Sequence, residues 1–212
     1  MATLDNNNEN RKLAKKAAIA FYEYLLIIPP DEKIGLATLS IKNSYKEYGC
    51  HNAANQLPHI TMVNFVQFST MENRIIYRLE SFAKSIKPFE VKLHGFGQFP
   101  SHTIFINVAT KAPIATIVKN MKSPFKHLLQ PNKQDNPHFF MTPHLTIARD
   151  MLKSQHSRAW ADWQHKEFTA SFEAFEMILL RREIGRGRYE VVKHIPFGGS
   201  HEAGEQLIIS FL

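Results

Sequence analysis

Two short segments of the chain repeat each other around a histidine and a threonine. Residues 57–63 read Leu-Pro-His-Ile-Thr-Met-Val, and residues 142–148 read Thr-Pro-His-Leu-Thr-Ile-Ala. In both copies a proline precedes the histidine and apolar residues flank the threonine. One such motif among 11 histidines would be explained as a strand histidine bonded to a neighbouring hydroxyl. Two matching copies favour a shared chemical role.

The paired motifs suit acid–base chemistry on a phosphate ester. Opening a cyclic phosphate needs a base that deprotonates water and an acid that protonates the departing ribose oxygen. Two imidazoles can hold opposite protonation states at one pH, so we predict that His59 and His144 are the catalytic pair and that the rate peaks near neutrality. The hydroxyls of Thr61 and Thr146 can donate to phosphoryl oxygens as charge develops. This chemistry requires neither a metal ion nor a cofactor.

The spacing of the motifs indicates how the chain must position them. Residues two apart on a strand face the same side, so each histidine shares a face with its threonine, while Ile60 and Leu145 point into the core. The two histidines lie 85 residues apart, close to half the length of the structured chain. We therefore predict two related lobes that each present one His–Thr pair to a common cleft.

Composition and hydrophobic periodicity predict a disordered polar leader (residues 1–15), one bilobal domain (16–200) and a tail (201–212). Strands and helices alternate without a parallel βαβ rhythm, which predicts an α+β fold of antiparallel sheets with flanking helices. The predicted strands are 21–28, 58–68, 89–97, 102–109, 139–148, 172–182 and 189–197; the predicted helices are 31–48, 71–87, one from about 113 that ends before a loop at 124–138, and 150–166.

Charge and cysteine content narrow the class of protein. Lys and Arg outnumber Asp and Glu by 26 to 19, and this net charge of +7 favours phosphate-bearing partners. The single cysteine, Cys50, excludes an intramolecular disulfide and a cysteine metal cluster. Glu23 interrupts the apolar stretch 17–28, and no uncharged segment reaches membrane-spanning length. We expect a cytoplasmic monomer that binds neither metal nor membrane.

An arginine, three aromatic residues and a group of hairpin arginines are further candidates for substrate binding. Arg149 reaches the cleft if its strand ends near Ala148, and is otherwise a surface or ion-pairing arginine. Tyr189, Phe96 and Phe99 can stack on a base, although aromatic residues on strands usually belong to the core. The arginines of the last hairpin either grip an RNA backbone or form a solvated turn, and they are Arg181, Arg182, Arg186 and Arg188.

These motifs resemble those of the two-histidine (2H) phosphoesterases, particularly the bacterial 2′-5′ RNA ligases or RNA 2′,3′-cyclic phosphodiesterases. Residues 143–150, Pro-His-Leu-Thr-Ile-Ala-Arg-Asp, are similar to that group's second motif, with Arg149 at its arginine position. Residues 89–100 are similar to its strand ending in Gly-Gln-aromatic, and residues 175–197 to its closing hairpin. The first motif departs from the pattern, since it continues as Met-Val-Asn-Phe.

The resemblance implies a bilobal fold with an active-site cleft between the lobes, in which the two histidines act as acid and base and the two threonines bind phosphate. It implies hydrolysis of 2′,3′-cyclic phosphates on RNA ends or nucleotides, with 2′-5′ ligation as a related activity of the same site. The alternative is a non-catalytic RNA- or nucleotide-binding module that retains the cleft. A structural protein with accidental motifs explains the duplication poorly.

Overall fold

Nine antiparallel strands and four α-helices form the part of the chain that the computed structural model describes, residues 20–51 and 53–198. The architecture confirms the predicted α+β class. The strands are β1 (Phe21–Ile28), β2 (Ile60–Phe68), β3 (Phe89–Phe99), β4 (Thr103–Val108), β5 (His138–Phe139), β6 (His144–Ala148), β7 (Thr169–Ala174), β8 (Glu176–Glu183) and β9 (Glu190–Pro196). The helices are α1 (Glu32–Ser44), α2 (Glu72–Ala83), α3 (Lys111–Leu129) and α4 (Lys153–Trp163).

The strands join in a single sheet that has two halves. Their order is β7-β3-β4-β6-β2-β1-β8-β9, and the short β5 pairs with β2 outside this path. Within each half the strand that carries a His–Thr motif, β6 or β2, is the innermost one. These two strands meet through one residue pair, Ile60 and Leu145. The predicted bilobal arrangement is therefore two four-stranded halves joined at a narrow seam.

Two of the helices connect the two halves of the sheet. Helix α1 follows β1 in the chain but contacts β6 of the other half, and α3 follows β4 but contacts β2. The side chain of Asp31 caps α1 by accepting a hydrogen bond of 2.8 Å from the Ile34 amide. The buried stripe of α1 consists of Ile34, Thr38 and Lys42, spaced four residues apart. Each of these two helices thus crosses the seam and holds the halves together.

The core is one large apolar cluster that contains side chains from every long strand and all four helices. A second, smaller cluster lies on β1 and β8 and contains Leu25, Ile27, Ile178 and Leu180. Because alternate β1 residues enter different clusters, this strand is buried on both faces. From Tyr24 to Ile28 its sequence is accordingly a continuous apolar run, which ends before Pro29.

The prediction of one strand over 139–148 is wrong, because the segment is two strands with a bend between them. Strand β5 pairs with β2, whereas β6 pairs mainly with β4. Phe140 donates its amide to the Met62 carbonyl at 2.9 Å, and the chain then bends before His144. Pro143 lies at this bend, and since proline has no amide hydrogen it cannot continue a ladder.

The predicted strand over 172–182 is likewise two strands that belong to different halves. Strand β7 pairs with β3, and β8 pairs with β1. The chain changes partner at Phe175, whose carbonyl accepts a 2.8 Å hydrogen bond from the Phe197 amide. No glycine or proline marks this crossing, so the usual sequence signal for the end of a strand is missing.

The predicted loop over 124–138 begins too early, because α3 continues to Leu129 with Pro124 inside it. Proline in a helix removes one backbone hydrogen bond. Here Phe125 and Leu129 are buried in the core, and their packing outweighs that loss. The predicted leader (1–15) and tail (201–212) lie outside the described residues.

Candidate active site

The register of β2 and β6 brings the two His–Thr motifs together. Ile60 and Leu145 pair directly, so in antiparallel geometry the next positions place His59 opposite Thr146 and Thr61 opposite His144. All four side chains lie on the face away from the buried Ile60 and Leu145. They line one cleft of ≈ 420 Å³, which we call the His–Thr cleft. Other residues that line it are Glu23, Lys42, Asn64, Phe99, Arg149 and Tyr189.

Both histidine rings are held by the backbone two residues earlier. His59 Nδ1 lies 2.7 Å from the Leu57 carbonyl, and His144 Nδ1 lies 2.9 Å from the Thr142 carbonyl. A carbonyl only accepts hydrogen bonds, so Nδ1 carries the proton in each ring. In the neutral tautomer Nε2 is then the basic nitrogen available to the cleft. In both motifs the proline stands between the histidine and the residue whose carbonyl holds it.

The environment of the two rings favours their neutral forms. Burial lowers the pKa of His59 to about 4, and the positive charges of Lys42 and Arg149 act in the same direction. Burial also lowers the pKa of His144, while the bond to the Thr142 carbonyl opposes this shift. The two rings therefore differ, because only at His59 do neighbouring cations add to the effect of burial. A bound phosphate anion would favour the protonated form of either ring.

Aromatic residues surround His144. The Phe99 ring meets it edge-on with centroids 4.8 Å apart, and the Phe105 ring lies 5.2 Å from it. The rings of Phe99 and Phe105 also pack against each other, with their centroids 4.4 Å apart. This arrangement depends on Gly97, because a Cβ at that position would lie 2.6 Å from the Phe105 ring. The glycine of the Gly-Gln-aromatic segment therefore leaves room for a side chain that packs against His144.

Arg149 lies at the cleft, since β6 ends at Ala148 and Asp150 adopts a left-handed conformation with φ 56°. The sequence predicted that Arg149 reaches the cleft if its strand ends near Ala148, and this condition is met. Its side chain is 52% exposed, and Nε lies 3.6 Å from the Asp150 carboxylate. Arg149 thus combines both of the roles considered for it, as a cleft residue and as part of a loose surface ion pair.

Tyr189 also lines the cleft, and a network of polar residues holds it there. Glu23 accepts hydrogen bonds from Asn64 at 2.9 Å and from Arg182 at 2.7 Å. The Arg182 guanidinium lies over the Tyr189 ring, 4.5 Å from its centroid. Burial raises the pKa of Tyr189, and the nearby Glu23 carboxylate adds to that effect, so the phenol stays protonated. The tyrosine is thus a fixed, neutral hydrogen-bonding group.

Phe96 does not line the cleft but lies in the core, 8% exposed, with its ring edge-on to Trp163 at 5.0 Å. Phe99, three residues later, is the phenylalanine of β3 that faces the histidines. The bulge at Gly95, with φ 62°, shifts the β3 register and makes the phase of these residues hard to read from sequence.

Two arginines of the last hairpin bind carboxylates of the protein. Arg181 pairs with Glu72 at 2.7 Å and with Glu190 at 2.6 Å, and Arg182 pairs with Glu23. Their interaction with Glu23 and Glu72 ties the hairpin to β1 and α2. The solvated-turn interpretation fits the exposed Arg186 better than these two.

Lys42 is a charged cleft residue for which the sequence predicted no role. It lies on the buried stripe of α1, is only 3% exposed, and donates to the Gln56 carbonyl at 2.8 Å. Burial, aided by the charge of Arg149, lowers its pKa to about 8. The sequence does contain a signal for this residue, which is its position four residues after Thr38 and eight after Ile34. The helical pattern predicts a core residue at that position, yet the residue is a lysine.

Neither a metal centre nor a membrane span was expected. Within residues 20–51 and 53–198, no three His, Cys, Asp or Glu side chains form a group that could hold a metal ion. Each helix in the described part of the chain is too short or too polar to cross a bilayer. Cys50 is half-buried.

One known family matches the chain over a segment that contains both His–Thr motifs. The family model of the 2′-5′ RNA ligase superfamily matches residues 30–186, which is more than half of the chain and includes both His–Thr motifs. No curated protein sequence matches the chain significantly.

Solved structures share the fold at low sequence identity. The protein TT0787 of Thermus thermophilus is 17% identical with a TM-score of 0.60, covering 84% of this chain and 100% of that one. E. coli LigT in its apo form is 17% identical with a TM-score of 0.59, covering 84% of this chain and 98% of that one. The complex of LigT with 3′-AMP has a TM-score of 0.56 at 16% identity, with the same coverage of both chains. These likenesses show a common fold.

Proposed function

Because the chain belongs to the 2′-5′ RNA ligase superfamily of 2H phosphoesterases, we propose that it hydrolyses 2′,3′-cyclic phosphates of RNA ends or nucleotides by acid–base catalysis at His59 and His144. The observation that carries the proposal is the convergence of both His–Thr pairs on one cleft from the two sides of the Ile60–Leu145 seam. Two basic ring nitrogens and two hydroxyls around one space are the groups that this reaction requires.

In the proposed reaction His59 acts as the base and His144 as the acid. His59 has a pKa of about 4 and is neutral near pH 7, so it can take a proton from water. The water oxygen forms a bond to phosphorus while the bond from phosphorus to one ribose oxygen breaks. His144, protonated in the substrate complex, gives its proton to that oxygen and leaves a phosphate monoester.

Four residues bind and orient the substrate in this proposal. The Thr61 and Thr146 hydroxyls donate to the non-bridging phosphoryl oxygens, where negative charge grows in the transition state. Arg149, half-exposed at the cleft, attracts the anionic substrate. Tyr189, held by the network around Glu23, offers a ring and a hydroxyl to the ribose or the base.

The relatives support a nucleotide or RNA as the substrate. The matching family is defined by 2′-5′ RNA ligases, and E. coli LigT has been solved with 3′-AMP and with phosphate. If an RNA 5′-hydroxyl replaces the attacking water, the same two histidines form a 2′-5′ bond instead of a monoester. We include this ligase reaction as a secondary activity. The proposed enzyme is a cytoplasmic monomer that needs no metal.

The decisive experiment incubates the protein with 2′,3′-cyclic mononucleotides and with a cyclic-phosphate-ended RNA, and then separates the products. We expect a single monoester isomer from each substrate, and a 2′-5′-linked product when an RNA with a 5′-hydroxyl is added. Binding of these substrates without any product, at protein concentrations equal to theirs, would instead show a non-catalytic binding module.

The assignment of acid and base can be tested with a substrate in which sulfur replaces the leaving ribose oxygen. A thiolate departs without protonation, so this substrate does not need the acid. We expect His144→Ala to recover much of its lost rate on the sulfur substrate, while His59→Ala stays slow on both. The reverse pattern would exchange the two roles and leave the proposed reaction intact.

A further inference from the structure

A second cavity of ≈ 400 Å³ adjoins the His–Thr cleft, and we call it the adjoining pocket. It lies between the segments 49–51 and 53–56 on one side and the end of β6 on the other, and its wall also includes Gln155 of α4. Four residues line both cavities: Lys42, Gln56, Thr146 and Arg149. A ligand in the cleft can therefore continue into the adjoining pocket past Thr146, and each cavity has the size of a small-molecule site.

The wall between the two cavities carries two positive charges. Lys42 is 3% exposed, yet its ammonium makes a hydrogen bond with the Gln56 carbonyl and takes part in none of the ion pairs of the described residues. An ammonium can donate three hydrogen bonds, and a buried lysine is costly unless a partner compensates its charge. The position of Lys42 is thus suited to an anion that the substrate supplies.

Arg149 supplies the second charge at this wall. Both cations are close enough to His59 to contribute to its lowered pKa, so their fields reach the reaction centre. The exposed Asp150 lies 3.6 Å from Arg149 Nε and offsets part of one charge, and the net balance at the wall remains positive. The cleft needs one phosphate for the proposed reaction, and two Thr hydroxyls are already available to hold it. The two cations are therefore available to a second phosphate.

We propose that Lys42 and Arg149 form a subsite for a second phosphate, so that the preferred substrate is a nucleotide carrying both a 2′,3′-cyclic phosphate and a further phosphate on its 5′ side. That phosphate is either a terminal 5′-phosphate or the phosphodiester that links the last nucleotide to an RNA chain. This inference rests on the proposed function and narrows its substrate class.

Three substrates that share one nucleoside test the subsite. They are the nucleoside 2′,3′-cyclic phosphate, the same compound with a 5′-phosphate, and a dinucleotide that ends in the cyclic phosphate. Charge-assisted hydrogen bonds to the second phosphate predict kcat/KM values about 10–100-fold higher for the last two substrates. A gain with the dinucleotide alone identifies an RNA end, and a gain with the 5′-phosphate alone identifies a mononucleotide; both support the subsite.

Variants locate that gain at the two cations. We expect Lys42→Met and Arg149→Gln each to reduce the gain by about tenfold, and Arg149→Lys to retain most of it. Lys46→Met is the matched control, because Lys46 is exposed just beyond α1 and lines neither cavity. The half-exposed Arg149 keeps the test valid if the Lys42 variant fails to fold.

Two results would overturn the subsite: equal kcat/KM values for all three substrates of the wild-type protein, or equal losses on all three in both variants. Absence of any turnover would contradict the proposed function instead. The subsite is then decided by equilibrium binding of a nucleoside 3′-phosphate against the 3′,5′-bisphosphate. We expect the bisphosphate to bind about tenfold more tightly, and equal affinities would reject the inference.

Discussion

Ile60 and Leu145 pair across the seam of the sheet, both completely buried, and each directly follows a histidine. A shift of this pair by one residue would turn His59 or His144 into the core, because successive strand residues face opposite sides. Burial of the two apolar residues thus determines on which face the histidines lie. The alignment of the site follows from the same contacts that hold the halves together.

Removing either imidazole should nearly abolish turnover. We expect His59→Ala and His144→Ala each to lower kcat on a 2′,3′-cyclic nucleotide by about 10²–10⁴-fold, because each supplies one proton transfer. The double variant should lose far less than the product of the single losses, since the two groups act as a unit. Thr61→Val and Thr146→Val should cost less, as each removes one hydroxyl donor.

His138→Ala is the matched control for this series. His138 also follows a proline, but it is exposed on β5 and lines neither cavity. Its activity should equal that of the wild type within error. Near-wild-type kcat in either His59→Ala or His144→Ala would exclude the paired mechanism.

The kcat/KM profile should peak on the acid side of neutrality. The reactive free protein carries one proton on the pair, and both pKa values lie below the ordinary histidine value of 6.5. The singly protonated form therefore declines as pH rises above 6.5 and is lost again as pH falls below about 4. Because bound phosphate favours the protonated ring, the kcat profile should peak at higher pH. Initial rates from pH 4 to 9 measure both, and a kcat/KM maximum above pH 7.5 would disagree with the observed burial of the rings.

The same lowered pKa predicts a loss of stability in acid. His59 is neutral in the folded protein down to about pH 4, whereas in the unfolded chain it takes up a proton near 6.5. The unfolded state therefore binds more protons between these values, and the free energy of unfolding falls as pH falls through this window. Urea denaturation at pH 7 and pH 5 measures the difference. The His59→Gln variant has no imidazole to titrate at this position, so its free energy of unfolding should differ less between the two pH values. A difference equal to that of the wild type would mean that another group causes the acid sensitivity.

Chelation should leave the activity intact. Imidazoles supply the proton transfers and hydroxyls stabilise the developing charge, so no step in the proposed reaction uses a metal ion. The measurement is the initial rate after dialysis against EDTA, with and without added Mg²⁺ or Zn²⁺. Complete loss that a divalent ion restores would assign the protein to metal-dependent catalysis.

A methyl group at Gly97 should disturb His144 without touching it. Gly97→Ala places a Cβ 2.6 Å from the Phe105 ring, which packs against His144, so that ring must move. We expect a loss of about 1–3 kcal/mol in the free energy of unfolding and a lower kcat. Gly35→Ala in α1 is the control, since a Cβ there meets nothing within 4 Å. It should be neutral or stabilise the fold by about 0.4–1 kcal/mol. If Gly97→Ala and Gly35→Ala changed the free energy of unfolding and kcat equally, the packing of Phe105 against His144 would not be needed for stability or turnover.

Local chemistry in this chain is readable from its sequence. The duplicated motif indicated both His–Thr pairs, and apolar runs indicated most strands, because side-chain alternation on a strand is a local property. The family match to residues 30–186 supports the resemblance that these motifs suggested. The helical spacing of Ile34, Thr38 and Lys42 also places Lys42 on the core-facing stripe of α1, where a charged residue is unusual.

Other features depend on contacts between distant segments, and those the sequence did not reveal. The chain changes sheet partner at Phe175 without a glycine or proline to mark the crossing, and α3 continues through Pro124 because the core holds Phe125 and Leu129. The bulge at Gly95 places Phe99 rather than Phe96 beside His144.

The sequence by itself determined which residues are available for chemistry and which strand face each occupies, since both follow from residue type and alternation. Only the tertiary structure decided that the two faces coincide, through the Ile60–Leu145 pair, and that Lys42 and Arg149 stand beside His59. Pairing between β2 and β6 and burial of the cleft are long-range consequences of packing. They set the pKa of His59 at about 4, whereas the residue type alone predicted a group titrating near neutrality.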